Sequence, residues 1–337
     1  MDRFRRTELS ERQQKAIERQ AQQLRQQRRS RFRILACIGA TEESLVAVRM
    51  AASLAPSDDC DIIVLYVRPT DQGLHSGGLQ VKLARENMLE AGLDLPGIRH
   101  LKSAKETLKA CKIHVDHWPA QVGHQDAWDA AGDNKVEYKS PKGRGVVFKL
   151  KTAPDIASGI LDQYELGPYN LLILGEPSRW QGEMGAILGS SGIVQKITMR
   201  SPCSVLVARA AGLAKRGFFI CTDGSSRSMQ AVRRAAVLAH MVGEPITLFS
   251  VAREEAGLAG ARENVENAAA MLKAMGIAAK HLRTAKGKPA SEIIAAGSDH
   301  RVIVVTDEGR SFWQRLWRGS TAYEVVRGAR TSVLDVR

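Results

Sequence analysis

Short apolar runs alternate with amphipathic stretches along most of this chain, and the whole pattern occurs twice. Ile34-Leu35-Ala36-Cys37-Ile38 and Phe218-Phe219-Ile220-Cys221-Thr222 are runs of the kind buried on both faces of a parallel sheet. Apolar residues at helical spacing come next, Leu45, Val48, Ala52 and Ala55 after the first run and Met229, Val232, Ala236 and Ala239 after the second. Each set predicts a helix with one apolar face. A further strand is then expected over Ile62 to Val67 and over Ile246 to Val251. Strand, helix, strand in this order predicts a right-handed parallel crossover.

These elements repeat at a constant offset of 184 residues, the strongest signal in the chain. Farther along, Leu171-Leu172-Ile173-Leu174-Gly175 aligns with Val302-Ile303-Val304-Val305-Thr306 at an offset of 131, so the first copy holds 184 − 131 = 53 additional residues. Each copy ends in a loop closing with Gly-Ser, a helix, and a last strand, Ser204-Val205-Leu206-Val207 or Ser332-Val333-Leu334-Asp335. In the second copy a helix from Ala261 to Met275 stops at Gly276, a strand is expected over Ile277 to Leu282, and Pro289 opens another helix, as Pro154 does in the first copy. The predicted fold class is α/β: two tandem open five-stranded parallel-sheet domains with helices on both faces, plus an N-terminal helical arm. The expected organisation is a basic arm over 1–30, a first domain over 31–209 with an insertion near 111–145, a linker over 210–217 and a second domain over 218–337.

Composition adds constraints. A chain of 337 residues exceeds what one core usually supports, and 44% apolar residues with only 5% aromatics predict mainly aliphatic cores. No run of 18 apolar residues occurs and the N-terminus lacks a signal-peptide pattern, so a cytoplasmic protein is expected. Five cysteines without regular spacing make a poor disulfide framework, and Cys37 and Cys221 read as core residues. The formal charge of +13 suggests anionic company, but residues 1–33 carry +7 of it, so the folded body is only mildly basic.

Chemistry concentrates at the ends of the strands. The second copy reads Thr306-Asp307-Glu308-Gly309, nine residues, then Gly319-Ser320, followed by Thr321 at a helix start. The first reads Gly175-Glu176-Pro177-Ser178, ten residues, then Gly189-Ser190. Glycines let a backbone approach phosphate oxygens, and the N–H groups at a helix start attract anions. A Gly-Ser pair before a helix is also an ordinary N-cap. The loop gains weight from its place at the carboxyl ends of parallel strands, where open α/β sheets bind ligands.

These residues resemble the universal stress proteins, a family of adenine-nucleotide-binding α/β domains found as dimers or tandem pairs, whose loop is G-x-x-G-x9-G-[ST]. The second copy keeps that spacing and departs from it only at Thr306; the first keeps the outer glycines and lacks the middle one. The family's Asp-Gly-Ser stretch after the first strand is Asp223-Gly224-Ser225 in the second copy and Gly39-Ala40-Thr41 in the first. Val251 and Val67 match the position whose backbone meets adenine. The resemblance implies a nucleotide site in domain 2 made by Asp223, Gly224, Ser225, Val251, Thr306, Gly309, Gly319, Ser320 and Thr321, taking ATP or AMP, with Mg2+ accompanying ATP, and a degenerate domain 1. It also implies that the closing strands pair the two domains, since a flat edge strand needs a cover.

No catalytic constellation, G-x-S-x-G or Walker A loop occurs, so a stress-response regulator rather than an enzyme is expected. Cys111, His114, His117 and His124, with Asp116 and Asp126 nearby, lack an established zinc spacing, so no metal site is assigned. Val136 to Lys139 and Val146 to Lys151 resemble a hairpin around Ser140-Pro141-Lys142-Gly143. The rival reading is a non-nucleotide scaffold that docks a protein, membrane or nucleic acid through the basic arm and the loop bearing Phe312, Trp313, Leu316 and Trp317. Packing between the copies is the favoured role for that aromatic loop, which disfavours membrane or nucleic-acid contact. The expected partners are an adenine nucleotide and an unidentified protein, with homodimerisation left open.

Overall fold

The computed structural model describes residues 31–69, 96–127, 130–165, 168–175, 190–306 and 321–337. The N-terminal arm over 1–30, the glycine loops beyond Gly175 and Thr306, and the aromatic cluster at 312–317 lie outside the described residues. The first copy runs β1 (Phe32–Ile38), α1 (Val46–Leu54), β2 (Cys60–Pro69), α2 (Pro96–Ala110), β3 (Ala120–Ala127), β4 (Ala130–Lys139), β5 (Gly145–Ala153), α3 (Ile156–Glu165), β6 (Leu171–Gly175), α4 (Ser190–Arg200) and β7 (Ser204–Ala208). A short helix, α5 (Ala210–Leu213), lies in the connection. The second copy runs β8 (Phe218–Cys221), α6 (Ser226–Met241), β9 (Ile246–Ala252), α7 (Leu258–Ala274), β10 (His281–Lys286), α8 (Pro289–Gly297), β11 (Val302–Thr306), α9 (Thr321–Gly328) and β12 (Ser332–Val336).

The strands form one sheet in the order β10-β9-β8-β11-β12-β7-β6-β1-β2-β5-β4-β3. Each copy contributes five parallel strands in the same internal order. The closing strands join the two open sheets, as the resemblance implies: β7 and β12 pair antiparallel, with Leu206 opposite Leu334 and Val205 opposite Asp335. Pairing both otherwise open edges satisfies their backbone groups and removes two aggregation-prone templates. On one face a single core runs across the seam, joining α1 and α2 to α6 and α7 through residues such as Val48, Leu108, Leu206, Val232, Val265 and Leu334. On the other face each copy keeps its own cluster, around Ile160 and Ile197 in one and Ile293 and Val325 in the other.

Two details depart from the sequence-based expectation. The third strand of the second copy lies at His281–Lys286 rather than Ile277 to Leu282. Ile277 belongs to the end of α7: its N–H bonds the Leu272 carbonyl at 2.9 Å, Gly276 takes φ +75°, and the buried Ile277 side chain closes the turn. The strand itself is the mostly exposed sheet edge, so it needs no apolar run.

The same turn ends α2, with Lys112 at φ 66° and the Ile113 N–H on the Leu108 carbonyl at 3.0 Å. Cys111 to Ile113 are therefore part of the repeat rather than of the insertion. The offset there is 276 − 112 = 164, so the extra residues split into one block before α2 ends and another after it. The later block is β3 and β4, which extend the sheet beyond β5 as antiparallel strands, with the β4–β5 turn where the hairpin was predicted.

Candidate functional site

In the second copy, β8 lies between β9 and β11, and all three are parallel, so their carboxyl ends share one edge. The chain leaves β8 for α6 on one face, while α8 and α9 pack on the other. In open sheets of this topology such a reversal is the usual position of a ligand crevice, here between the ends of β8 and β11. Their pairing runs from Phe218–Val302 to Ile220–Val304 and stops there. In the first copy the equivalent pair continues one residue farther, to Cys37–Leu174.

Asp223 stands just past β8, exposed, and its Oδ1 accepts the Ser225 N–H at 3.0 Å. Partial burial alone would raise its pKa, but hydrogen bonds from Ser225 and Ser228 outweigh it and hold the carboxyl below its ordinary range. Gly224 adopts φ +80°, a backbone angle that favours glycine. Ser225 then caps α6, its Oγ accepting the Ser228 N–H at 3.2 Å. Beneath the turn, the Thr222 and Ser228 hydroxyls meet at 3.0 Å.

Val251, the penultimate residue of β9, is half-buried against the Phe219 and Phe249 cluster. Thr306 ends β11, and its Oγ1 donates to the Val336 carbonyl at 3.2 Å. The side chain that replaces the family's glycine is thus tied toward β12, away from the β8–β11 crevice. Thr321 opens α9, half-buried. Gly309, Gly319 and Ser320 lie outside the described residues.

Three neighbours carried no sequence signal of their own. Asn264 of α7 reaches over the turn, its Nδ2 donating to the buried Ser250 Oγ at 3.4 Å. A Cβ on Gly224 would fall within 2.7 Å of Asn264 Cγ. Thr222 and Ser228 are legible only as ordinary strand-end and helix residues until the turn brings their hydroxyls together.

The first copy is built differently at the same place. Gly39 stands where Asp223 does, and Thr41 makes no side-chain cap. The chain instead forms a short 3-10 turn over Glu42–Leu45, with the Ser44 hydroxyl donating to Thr41 O at 2.6 Å. That turn brings the Ser44 backbone so close to Gly175 that a Cβ there would overlap the Ser44 carbonyl.

In the insertion, Asp116 pairs with Lys105 at 2.6 Å and with Lys109 at 3.8 Å, and the hydrogen bond from Lys105 holds its carboxyl below the ordinary range. Burial pushes the Cys111 thiol up. Among the described residues no group of three His, Cys, Asp or Glu side chains is arranged to hold a metal ion. Among them, too, no helix is long and apolar enough to cross a membrane.

The fold defines a tandem pair of doubly wound α/β domains, each with the strand-order reversal at which such sheets bind ligands. A model of the universal stress protein family matches residues 30–209 and 218–337, and the chain belongs to this family. It is similar in fold to a universal stress protein from Archaeoglobus fulgidus DSM 4304, at 14% identity over 90% of this chain and 96% of that one, with a TM-score of 0.54. A universal stress protein solved in complex with cAMP is 25% identical over 36% of this chain and 97% of that one, with a TM-score of 0.32. One from Archaeoglobus fulgidus, in complex with dAMP, is 19% identical over 36% of this chain and 98% of its own, with a TM-score of 0.31. No curated protein sequence matches this chain.

Proposed function

We propose that this protein is a cytoplasmic stress-response regulator that binds ATP or AMP in its second domain, with Mg2+ accompanying ATP, and that its first domain is degenerate. The observation that carries the reading is Asp223: an ionised carboxylate beside the crevice between β8 and β11, oriented by the Ser225 N–H. An acceptor of this kind suits the paired hydroxyls of a ribose. Val251 offers strand-end backbone on the β9 side, and Gly309, Gly319, Ser320 and Thr321 supply N–H and hydroxyl donors for phosphate. The tie between Thr306 and Val336 supports the reading, because the one departure from the family loop leaves the crevice clear. Binding without turnover would change the chain's affinity for a protein partner.

Thermal unfolding of the full chain with millimolar Mg-ATP or AMP tests this. A ligand present at a hundred times its Kd stabilises by about 2.7 kcal/mol, so the unfolding temperature of the wild type rises while that of Asp223→Ala does not. No rise for the wild type at millimolar nucleotide overturns the proposal.

A further inference from the structure

The closing strands share a second, shorter repeat. Ser204-Val205-Leu206-Val207-Ala208-Arg209 and Ser332-Val333-Leu334-Asp335-Val336-Arg337 both begin with serine and end with arginine. Because β7 and β12 run antiparallel, each arginine emerges beside the start of the other copy's strand. The Arg209 N–H donates to Ser332 Oγ at 3.0 Å, and the Arg337 N–H to Ser204 Oγ at 3.2 Å.

The guanidinium groups cross in the same way. Arg209 Nη2 donates to the Val326 carbonyl at 2.6 Å and Nη1 to that of Thr331 at 3.1 Å. Arg337 Nη2 donates to the Thr198 carbonyl, and Nη1 to that of Ser201 at 2.7 Å. Thr198 and Val326 are equivalent positions, separated by the same interval as the two arginines, since 326 − 198 = 337 − 209 = 128. Each copy therefore satisfies a carbonyl in the last turn of the other copy's final helix, which has no partner within that helix, and one just beyond the helix end. A positive charge at the negative end of a helix strengthens such a bond, and Arg209 is only 2% exposed, so water competes little.

What this does follows from the size of α9. The helix has eight residues, and Val326 lies five residues from Thr321, about 7.5 Å along the axis. In a rod this short, directional bonds at the end also bear on where the start lies along the axis. Ala322 and Val325 seat one side of α9 on the core beneath it, and its polar contacts include the Lys288–Glu324 ion pair at 2.9 Å, with Lys288 mostly exposed. An exposed pair contributes little.

We infer that Arg209, a residue of the first domain, is a positioning residue for the nucleotide site of the second: by holding Val326 and Thr331 it fixes where Thr321 presents the N-terminus of α9. The inference rests on the reading of domain 2 as the nucleotide site. Arg337 performs the equivalent act on α4 of the degenerate first copy, so only one of the two crossings acts on a bound ligand. The first domain has thereby become a structural part of the second domain's site.

The test is calorimetric titration of the full chain with Mg-ATP and with AMP, well below the unfolding temperature of each variant. Arg209→Lys keeps the charge and loses the two-pronged fork; Arg337→Lys makes the matching change in the other crossing. Arg209→Gln, which keeps a single donor, serves if the lysine variant does not fold. The expected result is nucleotide affinity about tenfold weaker for the Arg209 variants, and Arg337→Lys within about twofold of wild type, although both lose thermal stability. Wild-type affinity in a folded Arg209 variant overturns the inference. Equal weakening by Arg337→Lys also overturns it, because that is general loosening of the seam. A wild-type chain that takes up no nucleotide removes the site itself, and this inference with it.

Discussion

The two strand-end crevices of this molecule descend from one pattern and differ through a handful of residues. In the second copy, Asp223-Gly224-Ser225 folds into a turn whose hydrogen bonds are internal, α6 starts cleanly at its serine cap, and β8 parts from β11 one residue early. In the first, Gly39-Ala40-Thr41 provides neither acid nor cap, and the chain compensates with a 3-10 turn that lays the Ser44 backbone on Gly175. The lesson concerns glycine. Gly175 looks like the better-preserved phosphate-loop residue, yet its missing Cβ is occupied by neighbouring backbone. Thr306 looks like the damaged position, yet its side chain is tied out of the way by Val336.

The strongest way to break this comparison is to exchange those two residues. Gly175→Thr forces the Ser44 carbonyl to move and is expected to destabilise the first domain by about 3 kcal/mol in urea unfolding. Thr306→Gly loses one hydrogen bond and is expected to cost about 1 kcal/mol, with nucleotide binding retained. Equal losses would mean that the crevices are alike.

Next in size is Gly224→Ala. Alanine already stands at the equivalent position 40 of the first copy, but in the second it meets φ +80° and the Asn264 side chain. A loss of about 2 kcal/mol, accompanied by weaker nucleotide binding, is expected from chemical unfolding and calorimetry. Unchanged stability would show that the turn relaxes to the first copy's shape.

The smallest effect is on pH dependence. His300, just before β11, bonds Thr247 Oγ1 at 3.1 Å and packs on Phe219; the equivalent residue of the first copy is Tyr169, bonded by Gln163 at 2.8 Å. Burial, reinforced by Arg283, lowers the His300 value below that of a free histidine, with Asp299 partly opposing. The neutral ring is favoured by the fold, so its contribution is complete above about pH 6.5 and is lost as pH falls through the lowered value. His300→Tyr is expected to flatten the fall of unfolding temperature between neutral and mildly acidic pH. A slope unchanged in that variant would assign the effect to other groups.

Much of this architecture is legible in the chain. Apolar runs buried on both faces, helix stripes at the right spacing and the offset of 184 residues mark the crossovers, because each reflects local geometry that repeats with the fold. The strand at Ile277 was misplaced for a local reason too: an apolar residue after a glycine serves a helix end as well as a strand, and periodicity does not separate the two. The residues proposed for the nucleotide rest on spacing and resemblance, whereas Asn264 carries no such signal, since nothing local tells an asparagine on a helix that it will cover a turn 40 residues earlier.

The sequence by itself determined the repeat, the parallel crossovers and the loss of the acid in the first copy. Tertiary structure alone decided that Thr306 is tied to Val336, that Gly175 is crowded and that two arginines cross the seam, because each depends on backbone brought close by strands far apart in the chain.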